Sequence, residues 1–190
     1  MTENTHGNKR RPIVVVDYDP AWPAAFELLR GRVWPAVSDF ALTVEHVGST
    51  SVPGLAAKPI IDMCVVVSCE ADVRRAIERI APLGYRHLGN LGVEGREAFT
   101  RPADLPDHNM YVCLAGTIGI ENQLAVRNYL RSHPDAARAY GELKRRLAVE
   151  FPNDIDSYVY GKTDLILGIL RESGLPPDQL EAIERANRRP

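Results

Sequence analysis

The sequence lacks the features that mark several large classes of protein. Its formal net charge is -2 and its calculated pI is near 6.2, so it lacks the basic excess typical of general nucleic-acid binders. No apolar run approaches the ~20 residues that a membrane span requires, and the polar first ten residues contain no signal-peptide core. We therefore expect a cytoplasmic protein that uses neither a membrane nor nucleic acid in general as a partner.

The sequence also lacks a cysteine framework. Its three cysteines, Cys64, Cys69 and Cys113, are an odd set without CxxC spacing. This pattern favours small buried apolar residues in a reducing compartment. The chain likewise contains no Ser-His-Asp order, no zinc-type cluster and no internal repeat.

What the chain does contain is enough apolar sequence for one domain. It has 190 residues, of which 45% are hydrophobic and 25% charged, which suffices for a core without disulfides or a structural metal. We predict a flexible tail over residues 1–12, a single domain over 13–175, and a short helix and tail over 176–190.

Apolar periodicity gives the expected elements. Strands are predicted at 13–16, 41–47, 60–67 and 109–114, with weaker signals at 85–88 and 98–101. Helices are predicted after Asp19-Pro20, before Gly84, and at about 119–132, 135–150 and 157–173. Strands clustered early and helices clustered late indicate an α+β fold, in which a mixed sheet is covered by a layer of C-terminal helices.

The stretch from His46 to Asp62 is the strongest signal for chemistry. Gly48, Ser49 and Thr50 form a turn whose backbone N–H groups can approach an anion and whose hydroxyls add donors. Asp62 follows in an apolar strand, where an ionised carboxylate needs a cation, a metal or hydrogen-bond donors. Such a pair suits a nucleotide with Mg²⁺, whereas the alternative is an ordinary turn beside a buried, hydrogen-bonded aspartate.

Basic residues on the late helices are a second signal. Arg127 and Arg131 fall on the apolar stripe of one predicted helix, Lys144 on that of the next, and Lys162 on that of the third. If these stripes pack toward Asp62, the cations converge on a pocket for a polyphosphate, with the arginines clamping oxygens bidentately. The alternative is that the long stems cover apolar surface while the charges reach water.

Two histidines stand near these signals. His46 precedes the turn and His108 precedes the late strand, so either could join Asp62 at a metal or carry a proton. A structural histidine with satisfied hydrogen bonds is at least as well supported for each.

The run from Glu45 to Asp62, EHVGSTSVPGLAAKPIID, resembles the signature of the GrpB family. The resemblance continues in YDPAW from Tyr18, HNMYV from His108 and RNYLRSHP from Arg127, and so covers nearly the whole chain. It implies a nucleotidyltransferase-like fold, in which a Gly-Ser turn and strand carboxylates hold a nucleotide with Mg²⁺. Similar domains fused behind dephospho-CoA kinase imply a link to nucleotide or coenzyme A metabolism.

Two departures weigh on this implied activity. The nucleotidyltransferase pattern has two carboxylates at alternate strand positions, whereas Asp62 is followed at that spacing by Cys64. Relatives often carry His-Leu-His in the late strand, whereas NMY follows His108 here, and a phenol at Tyr111 is far less basic at neutral pH than an imidazole.

Two functions therefore remain in view: nucleotidyl transfer to a small acceptor, and non-catalytic binding of a nucleotide or other phosphorylated metabolite. A scaffold without a ligand is a third reading. The catalytic candidates are Asp62 and His108, and the candidate Mg²⁺ ligands are Asp62 and His46. The phosphate-binding candidates are Gly48, Ser49, Thr50, Lys58, Tyr111, Arg127, Arg131, Lys144 and Lys162.

Overall fold

A computed structural model describes residues 12–187, so the tail expected over 1–12 lies outside the described residues except for its last position. The helices are α1 Trp22–Val37, α2 Glu70–Ile80, α3 Ile118–Ser132, α4 Pro134–Glu150, α5 Ile155–Tyr160, α6 Thr163–Glu172 and α7 Pro177–Asn187. The strands are β1 Thr43–Val47, β2 Ile61–Val67, β3 Arg86–Gly89, β4 Arg96–Thr100 and β5 His108–Leu114. Short 3₁₀ turns occupy Ser49–Ser51 and Ala81–Leu83.

The five strands form one mixed sheet in the order β1-β2-β5-β4-β3. The β2–β5 pair is parallel, and the β1–β2, β5–β4 and β4–β3 pairs are antiparallel. Helices α3 to α7 follow the last strand in the chain. The predicted α+β class, with a mixed sheet and C-terminal helices, is confirmed.

The two faces of the sheet are covered by different helices. Because side chains alternate along a strand, Ile61, Met63 and Val65 of β2 point to one face, where they join α1 and α2 in the largest apolar cluster. Asp62 and Cys64 point to the other face, and Cys64 packs there near α3. The parallel partner of Asp62 is Asn109, which extends the same polar position across to β5.

Two predicted elements differ in the structure. The strand expected at 13–16 is reduced to a single bridge between Val16 and Ala57. The helix expected at 157–173 is broken into α5 and α6 at Gly161, where an added Cβ would lie 2.5 Å from Leu147 Cδ2 of α4. This close approach brings the next residue, Lys162, toward α4.

The cysteines are free, and they differ in exposure. Cys64 and Cys113 are buried, as their apolar strands predict, but Cys69 is exposed at the start of α2, which corrects the expectation of burial for all three. Within residues 12–187, no helix combines the length and the apolarity that a bilayer crossing needs.

Candidate functional site

A cleft of about 350 Å³ lies on the Asp62 face of the sheet. The turn after β1 and the two central strands supply one wall, and α4, α5 and the start of α6 supply the other. Its polar lining consists of Gly48, Ser49, Thr50, Lys58, Asp62, Asn109, Tyr111, Tyr140, Lys144, Tyr158 and Lys162. The structure therefore brings together the predicted turn, the carboxylate and all three predicted lysines.

Gly48 and Asp62 fit against one another. Gly48 has a φ of 69°, in the left-handed region, and an added Cβ would lie 2.1 Å from Asp62 Oδ2. Only glycine allows both this backbone conformation and this approach. The turn is thereby held directly beside the carboxylate.

Asp62 has one hydrogen-bond donor and several cations around it. Asn109 Nδ2 donates to Asp62 Oδ1 at 2.7 Å. Burial raises the pKa of the Asp62 carboxyl group, while the hydrogen bond from Asn109 and the nearby Lys58, Lys162 and Lys144 act in the opposite direction. The lysines thus supply the cationic partners that this strand carboxylate requires.

Hydrogen bonds behind the turn fix its shape. The Thr50 hydroxyl donates to the Ile60 carbonyl at 3.2 Å, and the Ser51 hydroxyl donates to the Gly48 carbonyl at 2.6 Å. Thr50 Oγ1 then accepts from His46 Nε2 at 3.1 Å. Thr50 and Ser51 are therefore engaged in holding the turn, whereas Ser49 lines the cleft and is hydrogen-bonded through its side chain to Tyr140.

Lys144 is the most deeply buried charged side chain of the cleft. It is 2% exposed, and its Nζ is buried without a hydrogen-bond partner. Its pKa is lowered to about 7, first by burial and then by the neighbouring Lys162 and Arg145, against the opposite effect of Asp62. Close to neutral pH, a modest stabilisation by an anion would restore its charge.

The other two lysines are perturbed in the same direction. Burial and the positive charge of Lys58 lower the pKa of Lys162 to about 8. Burial also lowers the pKa of Lys58, although Asp62 raises it. Three amines crowded around one carboxylate make a site that is short of negative charge.

Tyrosine rings support these amines. Lys144 Nζ lies 4.6 Å from the ring centre of Tyr140, Lys162 Nζ lies 4.5 Å from that of Tyr158, and Lys58 Nζ lies 5.6 Å from the same Tyr158 ring. Residue-by-residue prediction did not select Tyr140, Tyr158 or Asn109. The tyrosines could have been predicted from the sequence, because Tyr140 and Tyr158 each precede a site lysine by four residues and so fall on the same face of a predicted helix.

The two arginines are placed differently from the lysines. Arg127 Nη1 donates to Glu45 Oε2 at 2.6 Å and to the His46 carbonyl at 2.9 Å. Arg131 donates to the Ser51 carbonyl from Nε at 3.0 Å and from Nη2 at 2.7 Å. They bind the protein from behind the turn and do not line the cleft with Asp62. The expectation that all the helical cations share one pocket is corrected, because these guanidinium groups satisfy backbone carbonyls.

The two histidines lie on the opposite face of the sheet from Asp62. His46 pairs in register with Met63 and stacks on Phe26, with ring centres 4.7 Å apart. His108 pairs with Ile61 and contacts the Tyr85 hydroxyl at 2.8 Å through Nε2. The metal role expected for His46 and the catalytic role expected for His108 are therefore both corrected, since strand alternation turns these side chains away from the cleft.

The donor set does not fit a magnesium ion. Magnesium needs about six oxygen ligands, with one or two carboxylates on the protein side. Among the described residues, Asp62 is the single acidic one that lines the cleft, Asn109 turns its amide N–H toward it, and three amines would repel a cation. Over residues 12–187, no group of three or more His, Cys, Asp or Glu is arranged to hold a metal.

Neither Cys64 nor Tyr111, which neighbour Asp62 on this face of the sheet, supplies a second metal ligand or a base. Cys64, at the second-carboxylate position, is fully buried in an apolar cluster. Burial and the nearby Asp62 raise the pKa of Tyr111 to about 12, so its phenol is not a base at neutral pH. Tyr111 does line the cleft, with the guanidinium of Arg96 stacked 4.8 Å from its ring centre.

Similar proteins carry the same domain. The chain is 33% identical over 161 residues to the UPF0157 protein YqkA of Bacillus subtilis, covering 85% of this chain and 47% of YqkA, so it spans about half of that relative. It is 34% identical to the UPF0157 protein BH1888 of Halalkalibacterium halodurans, covering 85% of this chain and 82% of that protein. A protein named dephospho-CoA kinase in Mycolicibacterium paratuberculosis is 29% identical over 79% of this chain and 43% of its own length.

A solved structure matches this fold over most of the chain. The crystal structure of the conserved protein GrpB from Enterococcus faecalis matches with a TM-score of 0.74 and 35% identity, covering 91% of this chain and 99% of that one. The structure of Cid1 in complex with its short product ApU matches at a TM-score of 0.45 and 16% identity, over 68% of this chain and 42% of that one. The family model described as GrpB protein matches residues 12–172, and the chain therefore belongs to the GrpB family.

Proposed function

We propose that the chain binds the phosphate group of a nucleotide or other phosphorylated small metabolite in the lysine cleft, without a metal ion. The observation that carries this proposal is Lys144, whose Nζ is buried without a hydrogen-bond partner in the wall of the cleft. An ammonium group in that position costs free energy unless a negative charge reaches it. A phosphate oxygen supplies both the charge and the acceptor.

The remaining lining suits the same ligand. Lys58 and Lys162 add two further amines, and Gly48 and Ser49 line the same cleft beside them. Phosphate is often bound by lysine as a point charge. Because amines take the place that a divalent cation would have in a metal-nucleotide site, magnesium is not needed to neutralise the ligand.

Nucleotidyl transfer is the weaker of the two functions expected from the sequence. It requires a base near the reacting phosphorus and a metal held by carboxylates. The histidines are on the far face of the sheet, Tyr111 has a raised pKa and Cys64 replaces the second carboxylate. Binding is therefore the function that the geometry supports best.

Titration calorimetry with inorganic pyrophosphate, in buffer containing EDTA, tests this proposal. We expect binding to the wild-type chain and a loss of at least about tenfold in affinity in Lys144→Met, because a charge-assisted hydrogen bond contributes roughly 1.5–3 kcal/mol. Arg146→Met is the matched control, since it removes a positive charge from an exposed position on the same helix. Its affinity should stay close to that of the wild type.

Two results would overturn the proposal. The first is no binding of pyrophosphate, coenzyme A precursors or nucleotides to the wild-type chain. The second is binding that appears only when Mg²⁺ is added, because it would mean that a metal, and not the lysines, carries the phosphate. Release of pyrophosphate from a nucleoside triphosphate, lost in Asp62→Ala, would reinstate transfer.

A further inference from the structure

We propose that a second pocket, on the other side of the Gly48-Ser49 turn, holds the nucleobase of the same ligand, which is therefore a nucleoside phosphate. This inference rests on the proposed function, because it assumes that the phosphate occupies the lysine cleft. It adds the chemical class of the group attached to that phosphate.

The second pocket adjoins the lysine cleft. It has a volume of about 210 Å³, and Gly48, Ser49 and Tyr140 belong to the walls of both cavities. A ligand that places its phosphate beside Ser49 can therefore extend past the turn without leaving the protein surface. A complete drug-sized ligand usually occupies ~300–1,000 Å³, so the smaller pocket suits one group of a ligand and not the whole of it.

The walls of the second pocket are apolar on opposing sides. Val52 follows the turn, Val126 and Leu130 come from α3, and Ile166 comes from α6. Aliphatic walls of this kind favour a flat group with apolar faces. Arg127 also lines the pocket, but its Nη1 already donates to Glu45 Oε2 and to the His46 carbonyl, so its charge is paired within the protein.

One polar group in this pocket has no partner. Asn122 lies on α3 in the wall that this pocket shares with a neighbouring cavity of about 500 Å³, and its Oδ1 is buried without a hydrogen-bond partner. The adjacent Gln123 also lines the pocket, but its Nε2 already donates to the Gly119 carbonyl at 2.7 Å. The free acceptor of Asn122 therefore calls for a donor on the ligand.

A nucleobase matches both the aliphatic walls and the unpaired acceptor of this pocket. It is planar, its faces are apolar, and its edge carries hydrogen-bond donors and acceptors. Asparagine and glutamine amides commonly recognise the amino edge of adenine in this way. Because Asn122 Oδ1 needs a donor, a base with an exocyclic amino group meets the requirement.

The pocket is completed by the last helix. Ile183 of α7 lines it, and α7 lies beyond residues 12–172, the part of the chain that the family model matches. The apolar contact of this side chain with Leu167 and Leu170 of α6 holds it in place. The base pocket is thus closed in part by a helix outside the residues that the family model matches.

Adenosine monophosphate and ribose 5-phosphate test the inference, because they share the phosphate and the sugar and differ in the base. We expect the wild-type chain to bind adenosine monophosphate at least about tenfold more tightly. Asn122→Leu, which keeps the size but removes the amide, and Val126→Phe, which fills the pocket, should each remove most of this preference. Both should leave the affinity for ribose 5-phosphate unchanged, as should the exposed control Asn153→Leu for both ligands.

The outcomes separate the two proposals. Equal binding of the two ligands by the wild-type chain overturns the base pocket and leaves the phosphate cleft standing. A preference for adenosine monophosphate that survives in both Asn122→Leu and Val126→Phe, with unchanged melting temperatures, also overturns it. If neither ligand nor pyrophosphate binds, the proposed function itself fails.

Discussion

The two faces of the sheet differ in whether their buried polar groups have hydrogen-bond partners. On the face covered by α1 and α2, the buried histidines His46 and His108 have hydrogen-bond partners in Thr50, Tyr85 and the Pro106 carbonyl. On the Asp62 face and the helices that cover it, four buried side-chain atoms among the described residues have none: Arg96 Nε, Asn122 Oδ1, Lys144 Nζ and Thr163 Oγ1. Within residues 12–187, no such atom is found on the first face.

This contrast separates a stabilising face from the face that we propose as the binding face. Buried polar groups in folded proteins are almost always hydrogen-bonded, so unpaired ones indicate either strain or a missing partner. Two of the four, in Lys144 and Asn122, belong to walls of adjoining cavities. The first face therefore contributes stability, and under the proposed function the second leaves groups unpaired for a ligand at some cost in stability.

The largest loss of stability should come from a substitution on the apolar face, which α1 and α2 cover. Leu29 of α1 is 0% exposed, and Leu29→Ala should lower the free energy of unfolding by about 2–5 kcal/mol through lost burial and a cavity. Urea denaturation measures this loss. At a temperature where the variant is folded, its affinity for pyrophosphate should equal that of the wild type; a lower affinity would show that the faces are not separable.

The turn between the faces should give the next largest effect. Gly48→Ala places a side chain on a left-handed backbone and against Asp62. It should lower the free energy of unfolding by about 3 kcal/mol and remove most of the affinity for pyrophosphate. Gly54→Ala is the matched control, because Gly54 has a φ of 79° but nothing within 4 Å of an added Cβ. It should cost only about 1 kcal/mol and keep the affinity. Equal losses in urea denaturation would remove the role given to the Gly48–Asp62 contact.

On the binding face, removing a charge should stabilise the protein. Lys144→Met should raise the free energy of unfolding by about 1–3 kcal/mol below about pH 7, because a buried ammonium without a partner is removed. The pKa of Lys144 is about 7 in the fold and 10.5 ordinarily, so the unfolded chain binds the extra proton between these values. The wild type should therefore gain stability relative to the variant as the pH rises through this window.

Urea denaturation of both chains across this pH range measures the difference. The advantage of Lys144→Met should shrink toward about pH 10, where lysine is losing its proton in the unfolded chain as well. A variant that is less stable than the wild type below pH 7 would contradict the assignment of Lys144 as an unpaired cation.

The smallest effect should come from His46 and should appear only in acid. Burial, followed by Arg131 and Arg127, lowers its pKa from 6.5 to about 4. The unfolded chain therefore takes up a proton at a higher pH than the folded one, and stability is lost as the pH falls from about 6.5 to about 4. His46→Gln should reduce this loss in acid titrations followed by circular dichroism. An unchanged acid transition would mean that other groups dominate it.

Much of the fold could be predicted from the sequence, because it depends on local patterns. Strands β2 and β5, the helix α2 and the two long helices α3 and α4 follow apolar periodicity that neighbouring elements do not override. The break between α5 and α6 was not readable, because it depends on the contact of Gly161 with Leu147 of another helix. The strand predicted at 13–16 does not form for a similar reason, since of these residues Val16 alone forms a bridge, to Ala57.

The sequence by itself determined the composition of the site: a Gly-Ser-Thr turn, one strand carboxylate in Asp62, and basic residues on the apolar stripes of the later helices. Tertiary structure decided which of these residues meet. The alternation of β1 and β5 turns His46 and His108 away from Asp62, and backbone carbonyls behind the turn bind Arg127 and Arg131. Helical spacing places a side chain on a face, but only the packing of that face against the rest of the chain determines whether its charge meets a carbonyl, a carboxylate or an open cleft.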